Sequence, residues 1–97
     1  MPMAALAEGQ MMSCVAGGEE LLIAHVDGQY YAVSNICSHG GQRLSGGRLA
    51  GYEVHCPLHR AAFDVRTGAA LCAPAREGLK RYPVTLAGGK VNVTLSG

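Results

Sequence analysis

The sequence predicts an all-β domain of small antiparallel sheets, and three observations carry that expectation. Glycine is abundant, 14 of 97 residues, and the apolar runs between glycines are short. An Asp27-Gly28 pair stands between two runs of β-formers, the strongest short-range hairpin signal a sequence offers. Near the C-terminus Val91, Val93 and Leu95 alternate with Asn92, Thr94 and Ser96, the period of a strand with one face turned inward.

Taken in order, residues 9–16 lack a helical period and have glycines around them, so no helix is expected there. Residues 20–26 and 29–33 form the first hairpin about Asp27-Gly28. Short strands follow at 51–55 and 62–65, with Thr67-Gly68 turning the chain. Residues 82–86 and 90–95 make a second hairpin across Ala87-Gly88-Gly89. No repeat, low-complexity tract or linker interrupts residues 1–97, which read as a single domain. The first and last thirds are expected to form a base, and the middle, about residues 36–76, a separate lobe.

Composition narrows the function. Apolar residues make up 48% and charged residues 15%, which argues against disorder. Eight Lys/Arg against seven Asp/Glu give a net charge of +1 with no basic run, so nucleic acid is not an expected partner. The first fifteen residues lack a basic leader, and no apolar stretch approaches the ~18–20 residues that span a bilayer. A soluble, cytoplasmic protein is expected. In a reducing cytosol four cysteines suggest metal or redox chemistry before disulfides. A core this small also gains from an inorganic staple.

Two short pairs concentrate the chemistry: Cys37-Ser38-His39 and Cys56-Pro57-Leu58-His59, with sixteen residues between His39 and Cys56. Both fall at strand-to-loop junctions, where a sheet protein presents a site. Two thiolates and two imidazoles suit either Cys₂His₂ zinc or a [2Fe-2S] cluster with two histidines on one iron. Zinc fingers usually take like ligands from each turn. Here each loop offers one of each, so both cysteines can face one iron and both histidines the other. Cys14 and Cys72 stand outside the pattern and read as small, semi-buried apolar residues. His25 and His55 read as ordinary strand histidines.

The strings Cys37-Ser38-His39-Gly40-Gly41, Leu44-Ser45, Cys56-Pro57-Leu58-His59 and Phe63-Asp64-Val65-Arg66-Thr67-Gly68 resemble the Rieske family. Ala73-Pro74-Ala75 and Tyr82-Pro83-Val84 continue the likeness, which covers about residues 30–93. Within the family the chain is similar to the small Rieske ferredoxins of bacterial aromatic-ring dioxygenase systems. The resemblance implies a Rieske [2Fe-2S] cluster, with Cys37 and Cys56 on the buried iron, His39 and His59 on the exposed one, and Pro74 in a third covering loop. It implies a one-electron carrier between an NAD(P)H-dependent flavin reductase and a terminal oxygenase, with no catalytic site of its own. A Rieske-type small subunit of a larger oxidoreductase, such as assimilatory nitrite reductase, is the alternative.

Departures from the family pattern sharpen the subtype. High-potential Rieske proteins carry an extra disulfide-forming cysteine in each loop; Gln42 and Leu58 occupy those positions here. Ala61 and Phe63 stand where those proteins direct serine and tyrosine hydroxyls toward the cluster. Fewer donors leave a reduced cluster less stabilised, so a low potential is expected. Arg60 replaces a common glycine and reads either as a docking charge or as a solvated side chain; Gly78 replaces a common proline. The remaining histidines cannot build a second iron site, and no glycine-rich dinucleotide fingerprint is present. Gly40, Gly41, Ala61, Pro74 and Ala75 form the expected docking rim of a monomer that meets its partners in turn.

Overall fold

In the computed structural model, which describes residues 6–36, 43–57, 62–72, 78–88 and 90–94, the chain opens as a three-stranded meander. Strands β1 (Met11–Ala16), β2 (Glu19–Val26) and β3 (Gln29–Ser34) pair antiparallel in sequence order. Gly17 and Gly18 (φ 57° and 80°) join the first two, and Asp27 and Gly28 (φ 54° and 75°) the second two. Left-handed φ at both central residues is the turn that matches the twist of a tight hairpin. The Glu8 carboxylate accepts from the backbone N–H groups of Asp27 and Gly28 at 2.6 and 2.8 Å, closing the second turn.

A 3-10 turn at Leu44–Gly46 leads into a second sheet of four short strands. These are β4 (Arg48–Ala50), β5 (Glu53–His55), β6 (Ala62–Asp64) and β7 (Ala70–Cys72), paired antiparallel in order. Strand β8 (Arg81–Tyr82) then returns to the first sheet, pairing Tyr82 with Ala32 and Arg81 with Val33. Strands β9 (Val84–Ala87) and β10 (Lys90–Val93) close the chain as a separate hairpin. No α-helix occurs among the described residues, and none of their segments is a helix long and apolar enough to cross a membrane.

Packing explains this arrangement. Leu21, Leu22, Ile23 and Ala24 of β2 are at most 1% exposed, so the strand is covered on both faces. Leu22, Ala24 and Val26 join Val54 and Phe63 of the second sheet, and Val65 just after β6, in one apolar cluster. Leu21 and Ile23 join Tyr82 and Val91 in another. The first sheet is therefore the middle layer between the four-stranded lobe and the C-terminal hairpin. The lobe is also tied to the base by polar contacts. The Tyr52 hydroxyl donates to Asp27 Oδ2 at 3.0 Å, and the Arg66 guanidinium lies 4.0 Å over the Tyr52 ring.

Several sequence expectations shift in detail. The run expected at 82–86 divides at Pro83: Tyr82 pairs with β3, whereas Val84 begins the C-terminal hairpin. Pro83 has no N–H for a ladder, although its carbonyl still accepts from Thr94 N at 2.9 Å. Gly51 (φ 60°) belongs to the β4–β5 turn rather than to a strand. Strand β1 lies where the sequence predicts neither a helix nor a strand. Val91 is buried and Asn92 exposed, as alternation requires, whereas Leu95 lies outside the described residues.

Candidate metal centre

The register of the second sheet sets out the site. Arg48 pairs with His55, His55 with Ala62, and Ala62 with Cys72, forming one row across all four strands. Strands β5 and β7 run toward that row and both end at it, with Cys56 directly after β5. Residues 56–61 are thus the connection of the β5–β6 hairpin, and residues 43–47 enter the row at Arg48. All three segments singled out from the sequence have their stems at one end of the lobe.

The stem of residues 37–42 is closed by an isolated bridge between Ile36 and Arg43. Leu44 N donates to the Asn35 carbonyl at 2.8 Å, and Ser45 N donates to Asn35 Oδ1 at 2.9 Å. Asn35 Nδ2 donates in turn to Ser45 Oγ at 3.1 Å. Arg43 grips Glu20 through Nε and Nη2 at 2.7 and 3.2 Å, and this carboxylate raises the guanidinium's already high pKa. The sequence reading missed Asn35. Its signal was a polar residue ending the apolar run of β3, two positions before Cys37.

Cys56 follows β5 directly and is buried, in the same apolar cluster as Leu44 and Val54. Gly46, Gly47, Arg48, His55, Cys56 and Pro57 line a cavity of about 330 Å³. A Cβ on Gly47 would stand 1.8 Å from the His55 carbonyl oxygen, so main chain meets main chain beside the thiol. Cys37, His39 and His59 lie outside the described residues, as do Gly40, Gly41, Gln42, Leu58, Arg60, Ala61, Pro74 and Ala75.

The Phe63-to-Gly68 string is explained by the turn it makes. Arg66 bonds both oxygens of Asp64, Nε to Oδ1 at 3.1 Å and Nη2 to Oδ2 at 2.8 Å, and its backbone N–H adds 2.8 Å to Oδ1. The guanidinium's hydrogen bonds hold the Asp64 carboxyl below its ordinary range, against the opposing effect of burial. Gly68 N donates to the Asp64 carbonyl, and the Gly68 carbonyl accepts from Leu79 N, both at 2.6 Å. A Cβ on Gly78 would come within 2.6 Å of that same Gly68 carbonyl. Glycine at 78 therefore serves a close approach that anchors the far stem of residues 73–77.

The remaining candidates have structural roles. His25 bonds the Leu6 carbonyl through Nδ1 at 2.9 Å and stacks on Tyr30 with centroids 4.1 Å apart. His55 is half-buried with Nε2 3.5 Å from Glu53 Oε1. Cys14 is a half-buried free thiol packed at the edge of the second apolar cluster. Cys72 ends β7. Phe63 is fully buried in the first cluster.

A buried cysteine at the end of a hairpin strand, lining a cavity together with Gly46 and Gly47 of a neighbouring segment, fits one corner of a thiolate- and imidazole-held iron–sulfur cluster. The comparisons with known proteins agree. Residues 1–83 match the family model of the Rieske [2Fe-2S] domain. The ferredoxin component of a naphthalene 1,2-dioxygenase system from Pseudomonas aeruginosa is 46% identical over 89 residues, 92% of this chain and 86% of that one. The solved ferredoxin of carbazole 1,9a-dioxygenase from Nocardioides aromaticivorans IC177 superposes with a TM-score of 0.95 at 31% identity. That match covers 99% of this chain and 94% of the other. A chain from the solved complex of reduced oxygenase and oxidised ferredoxin in carbazole 1,9a-dioxygenase matches at 31% identity and a TM-score of 0.89, covering 95% of this chain and 86% of that one. The chain belongs to the Rieske [2Fe-2S] family. Its cofactor is a Rieske-type [2Fe-2S] cluster.

Proposed function

We propose that this protein is a one-electron carrier of an aromatic-ring dioxygenase system, taking electrons from an NAD(P)H-dependent flavin reductase and delivering them to a terminal oxygenase. Cys37 and Cys56 would hold one iron, and His39 and His59 the other. When bound, such a cluster supplies reversible one-electron transfer. The chain's own residues do the rest. Strands β5 and β6 hold Cys56 at a fixed point, buried from water by Leu44 and Val54. The Ile36–Arg43 bridge and the Gly68–Leu79 hydrogen bond hold the stems of the two other loops.

The observation that supports this reading is the row Arg48–His55–Ala62–Cys72, at which strands β5 and β7 both end, with Cys56 directly after it. A tip of that kind suits brief contact with successive partners. Gly40, Gly41, Ala61, Pro74 and Ala75 are its proposed rim. The chain would act as one domain, a monomer in the cytoplasm. With Gln42, Leu58, Ala61 and Phe63 in place of cysteine and hydroxyl side chains, its potential should lie low in the Rieske range, about −150 mV.

The test is direct. Pure protein should contain iron and acid-labile sulfide in equal amounts, elute as a monomer, and support oxygenase turnover only when reductase and oxygenase are both present. Zinc in place of iron, or a reversible wave above zero in protein-film voltammetry, would overturn the cluster assignment or its low potential respectively.

A further inference from the structure

Asn35 has no place in the ligand set, yet its contacts are out of proportion to a strand-end residue. It is 1% exposed, and it is the buried polar residue among the described ones. Its four hydrogen-bonding groups are all engaged. The backbone N–H donates to the Glu20 carbonyl at 3.0 Å, and the backbone carbonyl accepts from Leu44 N at 2.8 Å. The side-chain amide exchanges a reciprocal pair with Ser45, through its backbone N–H at 2.9 Å and its hydroxyl at 3.1 Å. A satisfied polar contact made by a buried side chain defines one geometry, whereas apolar packing tolerates several.

That geometry continues toward Cys56. Ser45 is followed by Gly46, where a Cβ would lie 3.7 Å from Pro57 Cγ, and by Gly47, where one would collide with the His55 carbonyl. Both contacts flank Cys56. Leu44, at the start of the same turn, is fully buried in the apolar cluster that contains Cys56. One continuous path therefore runs from Asn35, two residues before Cys37, through residues 44–47 to the main chain on either side of Cys56.

We infer that Asn35 is a positioning residue for the cluster: through Ser45 it ties the end of β3, from which the chain leads to Cys37, to the main chain around Cys56. This rests on the ligand assignment proposed above. The two loops carry no cysteine pair at Gln42 and Leu58 to join them covalently. The Asn35–Ser45 clamp supplies a non-covalent tie instead.

The experiment compares holoprotein variants by the electron paramagnetic resonance spectrum of the reduced cluster and by the half-time of bleaching in the presence of a chelator. Asn35→Ala should shift or broaden the g-values and shorten the half-time about tenfold, and Ser45→Ala should do the same to a smaller degree. Ser45→Thr, which keeps the hydroxyl, should restore wild-type behaviour. Ile23→Val, buried in the other cluster, should lower the melting temperature without altering the spectrum. The double variant Asn35→Ala/Ser45→Ala should be little worse than Asn35→Ala alone, because both break one contact. An unchanged spectrum in both alanine variants, with bleaching no faster than in Ile23→Val, would overturn the inference. Should Asn35→Ala not fold, the Ser45 pair decides it on the same criteria. Wild-type protein lacking iron and sulfide would instead overturn the ligand reading, a separate failure.

Discussion

Gly47 and His55 approach so closely that a single methyl group could not fit between them: a Cβ at 47 would lie 1.8 Å from the His55 carbonyl oxygen. Gly47 has a negative φ of −92°, and the contact itself requires glycine there. The atom it would strike belongs to the main chain one residue before Cys56, and main chain cannot rotate aside.

Gly47→Ala should therefore push the start of β4 away from the end of β5. Overpacking of this kind costs about 1–3 kcal/mol. Iron per chain should fall together with the melting temperature. Full iron content at an unchanged melting temperature would show that the strands relax around the methyl group.

Phe63 joins the lobe to the base and is fully buried among residues of both. Phe63→Ala should destabilise the protein by about 3–5 kcal/mol, read from urea midpoints. A loss below about 1 kcal/mol would mean that the core collapses into the space.

Asp64 carries an acid-side dependence. Its carboxyl is depressed in the folded chain by the Arg66 guanidinium, so the unfolded chain binds the proton more tightly. The stabilisation is present above the unfolded value and is lost as pH falls through the folded one, from about pH 5 downward. Asp64→Asn should flatten that limb of the stability curve and leave the neutral region less stable. Parallel acid limbs in the two proteins would contradict this.

Tyr82 carries the opposite dependence. Burial, and then its hydrogen bond to Glu19, push the phenol up to about 12. The neutral hydroxyl is thus favoured by folding, and its contribution is present below the ordinary tyrosine value and lost as pH rises toward 12. Tyr82→Phe should cost about 1 kcal/mol near neutrality and blunt alkaline unfolding. Circular dichroism between about pH 9 and about pH 12 would reveal the difference.

Much of this architecture is written in local sequence. Asp27-Gly28 announces its hairpin because aspartate and glycine accept the left-handed backbone that a tight turn needs. The alternation around Val91 and Asn92 announces the last strand. The mixed Cys/His pairs are the sequence signal for a Rieske-type cluster, and their role as its ligands is the proposal made above. Strand β1 escapes notice because Met11, Met12, Ser13 and Cys14 have neither β-branching nor strict alternation, although Gly17-Gly18 marks its turn. The separate pairing of Tyr82 depends on a partner fifty residues away in sequence, Ala32, which no local pattern reports. Asn35 and Gly78 are hidden for the same reason: one is needed for Ser45 and the other for Gly68, and both needs exist only after folding.

Strand β2 alternates its side chains between the two apolar clusters, and so leaves the molecule no seam. Loosening either outer layer bares half of the same strand. Amide protons of residues 21–24 should therefore be the last to exchange with solvent, escaping only through global unfolding. Damage at the far hairpin would then reach the four-stranded lobe without passing through any loop, because both draw their rigidity from opposite sides of one wall.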